Sequence, residues 1–114
     1  MTDRGPIRHG QRLSLRPEHL DEYRRHHAAI WPEIAAAITA AGIRNYSIFH
    51  FAGELFGYYE YVGPPDEYAA RLRALAAAPR MREWWDLMEA MQIPHPGRRD
   101  GEWWAEMEQV FHLD

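Results

Sequence analysis

The apolar pattern of this sequence predicts an α+β fold, a ferredoxin-like βαββαβ sandwich built on an antiparallel sheet. Three observations carry it. Residues 9–15 and 104–113 alternate as strands do, one run near each end of the chain. Residues 17–41 and 66–92 repeat apolar side chains at helical spacing. Between them, residues 45–51 and 55–62 are rich in β-formers and flank a short Ala52-Gly53-Glu54 turn, which reads as a hairpin.

The elements follow in order. Residues 1–8 read as an N-terminal tail and 9–114 as one domain. In the first strand Gln11, Leu13 and Leu15 share a face against Arg12 and Ser14. Pro17 suits the first turn of a helix, and Glu18, Asp21 and Glu22 suit its positive end. Leu20, Tyr23, His27, Ile30 or Trp31, Ile34 and Ile38 make one stripe running to Gly42, a natural terminator. Pro32 inside that stripe predicts a kink or break near Trp31. After the hairpin, Gly63-Pro64-Pro65 ends the third strand, and helices are expected over 66–78 and 79–92. The second of these carries Met81, Trp84, Met88 and Met91 on one face. Residues 94–101 read as a loop, and 104–113 as the last strand, with Met107, Gln109, Phe111 and Leu113 on one side.

Both helical stretches should cover one sheet face. The middle strands nevertheless carry large apolar groups on both sides: Ile48 against Phe49 and Phe51, and Phe56 and Tyr58 against Tyr59 and Tyr61. A sheet with one wet face alternates cleanly instead. A second layer is therefore expected on the bare face, and a homodimer packed sheet to sheet supplies it.

Composition removes whole classes of chemistry. The 114 residues include no cysteine, which excludes disulfides, thiolate nucleophiles and thiolate zinc sites. All 13 basic residues are arginine, so no lysine Schiff base can form. A net charge of -4 argues against nucleic acid or an anionic membrane as partner. No apolar run is long enough to span a bilayer and the start lacks an apolar secretory stretch, so a cytoplasmic location is expected. Neither a glycine-rich phosphate loop nor a Ser-His-Asp arrangement appears. The seven histidines show no HxH or HxxxH spacing, and no metal site is expected.

What remains for proton chemistry is histidine, carboxylate and tyrosine. Adjacent helical residues point about 100° apart, so only one of His26 and His27 faces the sheet. His27 lies on the apolar stripe with Tyr23 one turn earlier, and a phenol beside an imidazole can handle protons. A plain core histidine is the competing reading of that position. Trp84-Trp85 reads equally as core packing and as a flat indole wall for a pyranose ring. Tyr46, next to Asn45, opens the second strand and suits either face.

At these residues a resemblance becomes specific. Glu22-Tyr-Arg-Arg-His-His27-Ala-Ala-Ile-Trp31-Pro-Glu33 resembles the EYxxxHxxIWPE segment of the L-rhamnose mutarotase family. Gly42-Ile-Arg-Asn-Tyr46-Ser-Ile-Phe49 is similar to its next strand, Leu55-Phe-Gly-Tyr-Tyr-Glu60 to the one after, Trp84-Trp85 to its double tryptophan, and 107–113 to its closing strand. The resemblance implies a dimeric α+β barrel that interconverts the α and β anomers of L-rhamnose, an isomerase without a cofactor. It implies His27 as the catalytic proton donor, and Tyr23, Tyr46, Trp84 and Trp85 as sugar-binding residues. Ala28-Ala29 departs from the polar pair that commonly follows the family's histidine, which leaves the sugar open among L-rhamnose, L-fucose and other deoxy-sugars. Two other functions fit the same architecture: a cofactor-free or haem-degrading monooxygenase, and a non-catalytic sugar-binding dimeric module. Oxygen uptake with haem or a quinol marks the first, and saturable sugar binding without anomer exchange marks the second.

Overall fold

The computed structural model describes residues 5–114. Strand β1 (Ile7–Leu15) leads through a 3-10 turn at Pro17–His19 into α1 (Leu20–Ala28) and α2 (Pro32–Ala40). Strands β2 (Ile43–Phe51) and β3 (Glu54–Tyr61) follow, then a 3-10 turn at Pro65–Glu67, α3 (Tyr68–Ala77), α4 (Pro79–Glu89), β4 (Gln92–Ile93) and β5 (Ala105–Met107). The sheet order is β2-β3-β1-β4, with β5 also on β1, and every pairing is antiparallel. The fold is therefore α+β. The short β4 and β5 divide one edge of β1 between them: β5 takes Gly10–Arg12, and β4 takes Ser14 and Leu15.

Proline punctuates the helices. Pro17, Pro32, Pro65 and Pro79 each open a helical segment, where the missing N–H would have no partner. The residue before proline is driven out of helical geometry, as at Trp31 (ψ 129) and Ala78 (ψ 124). The expected kink near Trp31 is thus a full break between α1 and α2. The hairpin turns on Ala52 (φ 51) and Gly53 (φ 82), the paired left-handed conformation that matches strand twist.

Three expected boundaries are corrected. Strand β1 starts at Ile7, so residues 7 and 8 of the expected tail are strand; residues 1–4 lie outside the described residues. The helix expected to reach Gln92 stops at Glu89, because Gln92 enters the sheet opposite Leu15. The last strand, expected over 104–113, is only Ala105–Met107. Met107 pairs with Gly10, whose side of the sheet is turned away from the helices. Beyond it Val110, Phe111 and Leu113 are exposed, so prolonging the strand would bury no apolar surface within this chain.

The core lies between the helices and one sheet face. Leu13, Leu55, Ile34, Met81 and Trp84 are buried there. On β3 the buried residues alternate strictly: Leu55, Gly57, Tyr59 and Tyr61 face inward. The opposite face is open around β2, where Phe49 is 65% and Phe51 76% exposed.

Candidate active site

Between the helices and the inner sheet face lies a cavity of about 980 Å³. Tyr23, His27, Tyr46, Trp84 and Trp85 all line it. Three separate elements deliver these five side chains: two from α1, one from β2, and two adjacent positions of α4, with β3 and β1 as the floor.

Tyr23 and His27 stand one helical turn apart on α1, with ring centroids 4.3 Å apart. His27 Nδ1 lies 2.8 Å from the Tyr23 backbone carbonyl. A carbonyl only accepts, so Nδ1 carries the proton and Nε2 keeps a lone pair. Burial lowers the proton affinity of His27; the Tyr23 carbonyl works the other way, and His26 adds to the lowering. The ring is therefore neutral at pH 7, a base in waiting. Burial pushes the Tyr23 phenol well above its ordinary value, so it stays protonated.

Against the Tyr23 hydroxyl sits Gln92, 3% exposed and itself part of the cavity lining. Its Nε2 donates to the Tyr23 hydroxyl at 2.9 Å, and its Oε1 accepts from Trp103 Nε1 at 2.8 Å. His26, next in sequence to His27, turns elsewhere: its Nε2 is 3.4 Å from Glu22, and its ring meets the edge of Trp84 at 6.3 Å.

Tyr46 reaches the cavity through a β-bulge. The register of β2 shifts between Arg44 and Ser47, and Asn45 takes φ 52. Asparagine tolerates that left-handed conformation better than most side chains, and its amide is held by Glu60 at 3.1 Å. The extra residue sets Tyr46 against Tyr59, with ring centroids 5.5 Å apart. Tyr46 is 41% exposed, and desolvation among the rings around it pushes its phenol up to about 12.

Trp84 is buried, and it meets His27 at 5.7 Å and Trp31 at 5.1 Å, both edge to face. Arg80 stacks on Trp31 at 3.9 Å while bonding Glu33 and Glu83, each at 2.6 Å, which braces this wall from outside. Trp85 is half-buried and lies beneath the Arg82 guanidinium at 5.6 Å.

The sheet adds a polar corner. Glu106 pairs across from Gln11, so both side chains share the inner face. Its carboxylate accepts from Gln11 Nε2 at 2.7 Å and bonds His9 Nδ1 at 2.7 Å. Burial raises the Glu106 carboxyl, yet the bonds from His9 and Gln11 prevail and hold it below the usual range. The His9 ring is stacked on Tyr59 at 4.7 Å and on Tyr68 at 4.9 Å. Neither Glu106 nor Gln92 belongs to a spaced motif, and the helix expected through Gln92 concealed its bond to the Tyr23 hydroxyl. Ala28 and Ala29 are exposed and do not line the cavity. Among the described residues no group of three or more His, Asp or Glu could hold a metal ion.

The sequence profile of the L-rhamnose mutarotase family matches residues 8–113. The L-rhamnose mutarotase of Burkholderia cenocepacia (strain HI2424) is 38% identical over 103 residues, 90% of this chain and 94% of that one. The enzyme of the same name from Lactiplantibacillus plantarum is 33% identical over 110 residues, 95% and 99% of the two chains. The crystal structure of an L-rhamnose mutarotase from Formosa agariphila superposes with a TM-score of 0.73 at 23% identity, covering 95% of this chain and 99% of that one. At that identity the superposition bears on the fold.

Proposed function

Since this chain belongs to the L-rhamnose mutarotase family, we propose that it is an isomerase exchanging the α and β anomers of L-rhamnose in the cavity between helices and sheet. The observation that carries the reading is His27: a neutral imidazole with Nδ1 committed and Nε2 free, set in an aromatic wall beside a protonated phenol.

The chemistry asks for little more. Anomers exchange when the O1 hydroxyl loses a proton and the ring oxygen gains one, which opens the pyranose to an aldehyde that recloses on its other face. His27 is the catalytic acid–base group, taking the proton in opening and returning it in closure, a device that contributes roughly 10²–10⁴-fold. Trp84 and Trp85 lie against the apolar C–H face of the sugar, and Tyr23 and Tyr46 meet its hydroxylated rim. Orientation in this pocket adds to the rate by holding the reacting atoms in place. No step calls for a metal, nucleotide or redox group, and we assign no cofactor.

The open sheet face supports a homodimer packed sheet to sheet, the arrangement of a dimeric α+β barrel with ferredoxin-like halves. Phe49 and Phe51 on β2, together with Val110, Phe111 and Leu113, form apolar surface that a second copy would cover.

Saturation-difference NMR on α and β L-rhamnose tests the activity. Exchange between the two anomeric signals should accelerate with protein concentration, and L-fucose in parallel ranks the sugars. Saturable sugar binding with no acceleration would make the chain a binding module instead.

A further inference from the structure

The polarity of one hydrogen-bond chain is fixed from its far end. The indole Nε1 of Trp103 can only donate, so the atom of Gln92 facing it at 2.8 Å is the acceptor Oε1. The other end of that amide, Nε2, can only donate, and it meets the Tyr23 hydroxyl oxygen at 2.9 Å. The Tyr23 oxygen therefore accepts a hydrogen bond from Gln92, which shares the cavity lining. Among the described residues its own proton has no acceptor, and Tyr23 lines the cavity. Gln92 is 3% exposed, so water does not compete for the amide. One turn along α1, the Tyr23 carbonyl fixes His27 in the opposite sense, with Nε2 as acceptor. The cavity thus presents one committed donor and one committed acceptor on rings 4.3 Å apart. A hemiacetal carbon has the complementary pair: O1–H to donate and the ring oxygen to accept.

We propose that Gln92 is a positioning residue that holds the Tyr23 hydroxyl as proton donor to the sugar ring oxygen, with Trp103 setting the direction of the chain. This rests on the mutarotase reading and names the second proton group within it. The O1 hydroxyl gives its proton to His27 Nε2, and the released pair forms the C1=O1 bond. The bond from C1 to the ring oxygen breaks, and its pair takes the proton of Tyr23. Gln92 Nε2 keeps donating to the Tyr23 oxygen while that oxygen is proton-deficient, beside the newly charged imidazole. After rotation at C1 the hydroxyl formed from the ring oxygen returns its proton to Tyr23 and attacks the other face. O1 then recovers its proton from His27, and both side chains end as they began.

The test reverses the polarity. In Gln92→Glu the introduced carboxylate only accepts, from Trp103 and from Tyr23 alike, and draws the Tyr23 proton to itself and away from the sugar ring oxygen. The turnover rate of L-rhamnose anomer exchange should fall about 10²-fold with KM little changed. Gln92→Met fills similar space but neither holds nor opposes the orientation, so its loss should be intermediate, about tenfold, and clearly smaller than that of Gln92→Glu. In a Tyr23→Phe background Gln92→Glu should cost no more than about twofold further, since the proton it redirects is gone. Trp103→Phe, which frees the amide to turn over, is the second route if the carboxylate variant fails to fold. It should lower turnover in the wild-type background and leave Tyr23→Phe unaltered. Equal losses in Gln92→Glu and Gln92→Met, or undiminished losses without the Tyr23 hydroxyl, overturn the relay while the mutarotase reading stands. A wild-type protein that does not exchange anomers overturns both.

Discussion

His27 is tied to Tyr23 twice, by the hydrogen bond from Nδ1 to the Tyr23 carbonyl at 2.8 Å and by ring centroids 4.3 Å apart. His26 has neither tie; it is held near Glu22 at 3.4 Å and is absent from the cavity wall. His27→Ala should therefore lower anomer exchange by roughly 10²-fold or more. His26→Ala should stay within a few-fold, in keeping with the small effect of most surface changes, about 0.5 kcal/mol. NMR exchange rates, with circular dichroism to confirm folding, check both. An inactive His26→Ala beside an active His27→Ala would sink the assignment.

Burial holds the His27 imidazole below its ordinary 6.5, with His26 nearby adding to the effect. As the base that starts ring opening, His27 must be unprotonated, so kcat/KM should rise with pH to a plateau. The midpoint should lie below 6.5. The same shift bears on stability with a definite sign: just below 6.5 the unfolded chain binds more protons than the folded one. The contribution is complete above 6.5 and is lost as pH falls through the folded value. A rate midpoint above 6.5 would contradict this.

The open sheet face should make the protein a dimer of about twice 13.4 kDa at micromolar concentration. Phe51, 76% exposed in the single chain, lies on that face at the hairpin end of β2. Phe51→Glu should shift sedimentation towards the monomer. A monomeric wild type would remove the homodimer.

Overnight chelation with EDTA should leave the exchange rate unchanged, since the reaction scheme uses only side-chain protons. Loss on chelation with recovery on added zinc would require a different mechanism.

Gly63 offers a stability test away from the cavity. A Cβ there would lie 2.5 Å from the Tyr61 hydroxyl oxygen and 2.8 Å from Arg71 Nη1. Tyr61 is 1% exposed and bonds the Pro64 carbonyl at 2.7 Å, so it cannot easily withdraw. Gly63→Ala should cost about 1–3 kcal/mol, and each kcal/mol lowers Tm by roughly 4–8 °C in a domain near this size. An unchanged melting curve would show that the Tyr61 ring gives way.

Periodicity and proline placement reveal much of this architecture in the sequence, because both act locally. The stripe through Tyr23 and His27, the break before Pro32 and the Ala52-Gly53 turn all arise from a residue's own neighbours in the chain. Gln92 and Glu106 are not legible in the sequence for the opposite reason. Gln92 matters through Tyr23, 69 positions away, and Glu106 through His9, 97 positions away. The tertiary fold alone creates those pairings. The closing strand is shorter than its alternation predicts because alternation shows that a segment can be a strand, not that a partner surface awaits its apolar side. The paired histidines were separable beforehand, since 100° per residue is a property of the helix itself.

The bulge at Asn45 acts as a parity switch. Ile43 faces the helices, and in an unbroken strand Tyr46, Ile48 and His50 would point away from them while Phe49 and Phe51 pointed in. One inserted residue exchanges those two sets for the remainder of β2. The same left-handed residue thus decides, in a single step, which aromatic ring guards the cavity and which rings are shown to the outside. Deleting Asn45 would not merely misplace Tyr46; it would turn half a strand inside out, sending the phenylalanines towards the cavity and the pocket's tyrosine to the outer face.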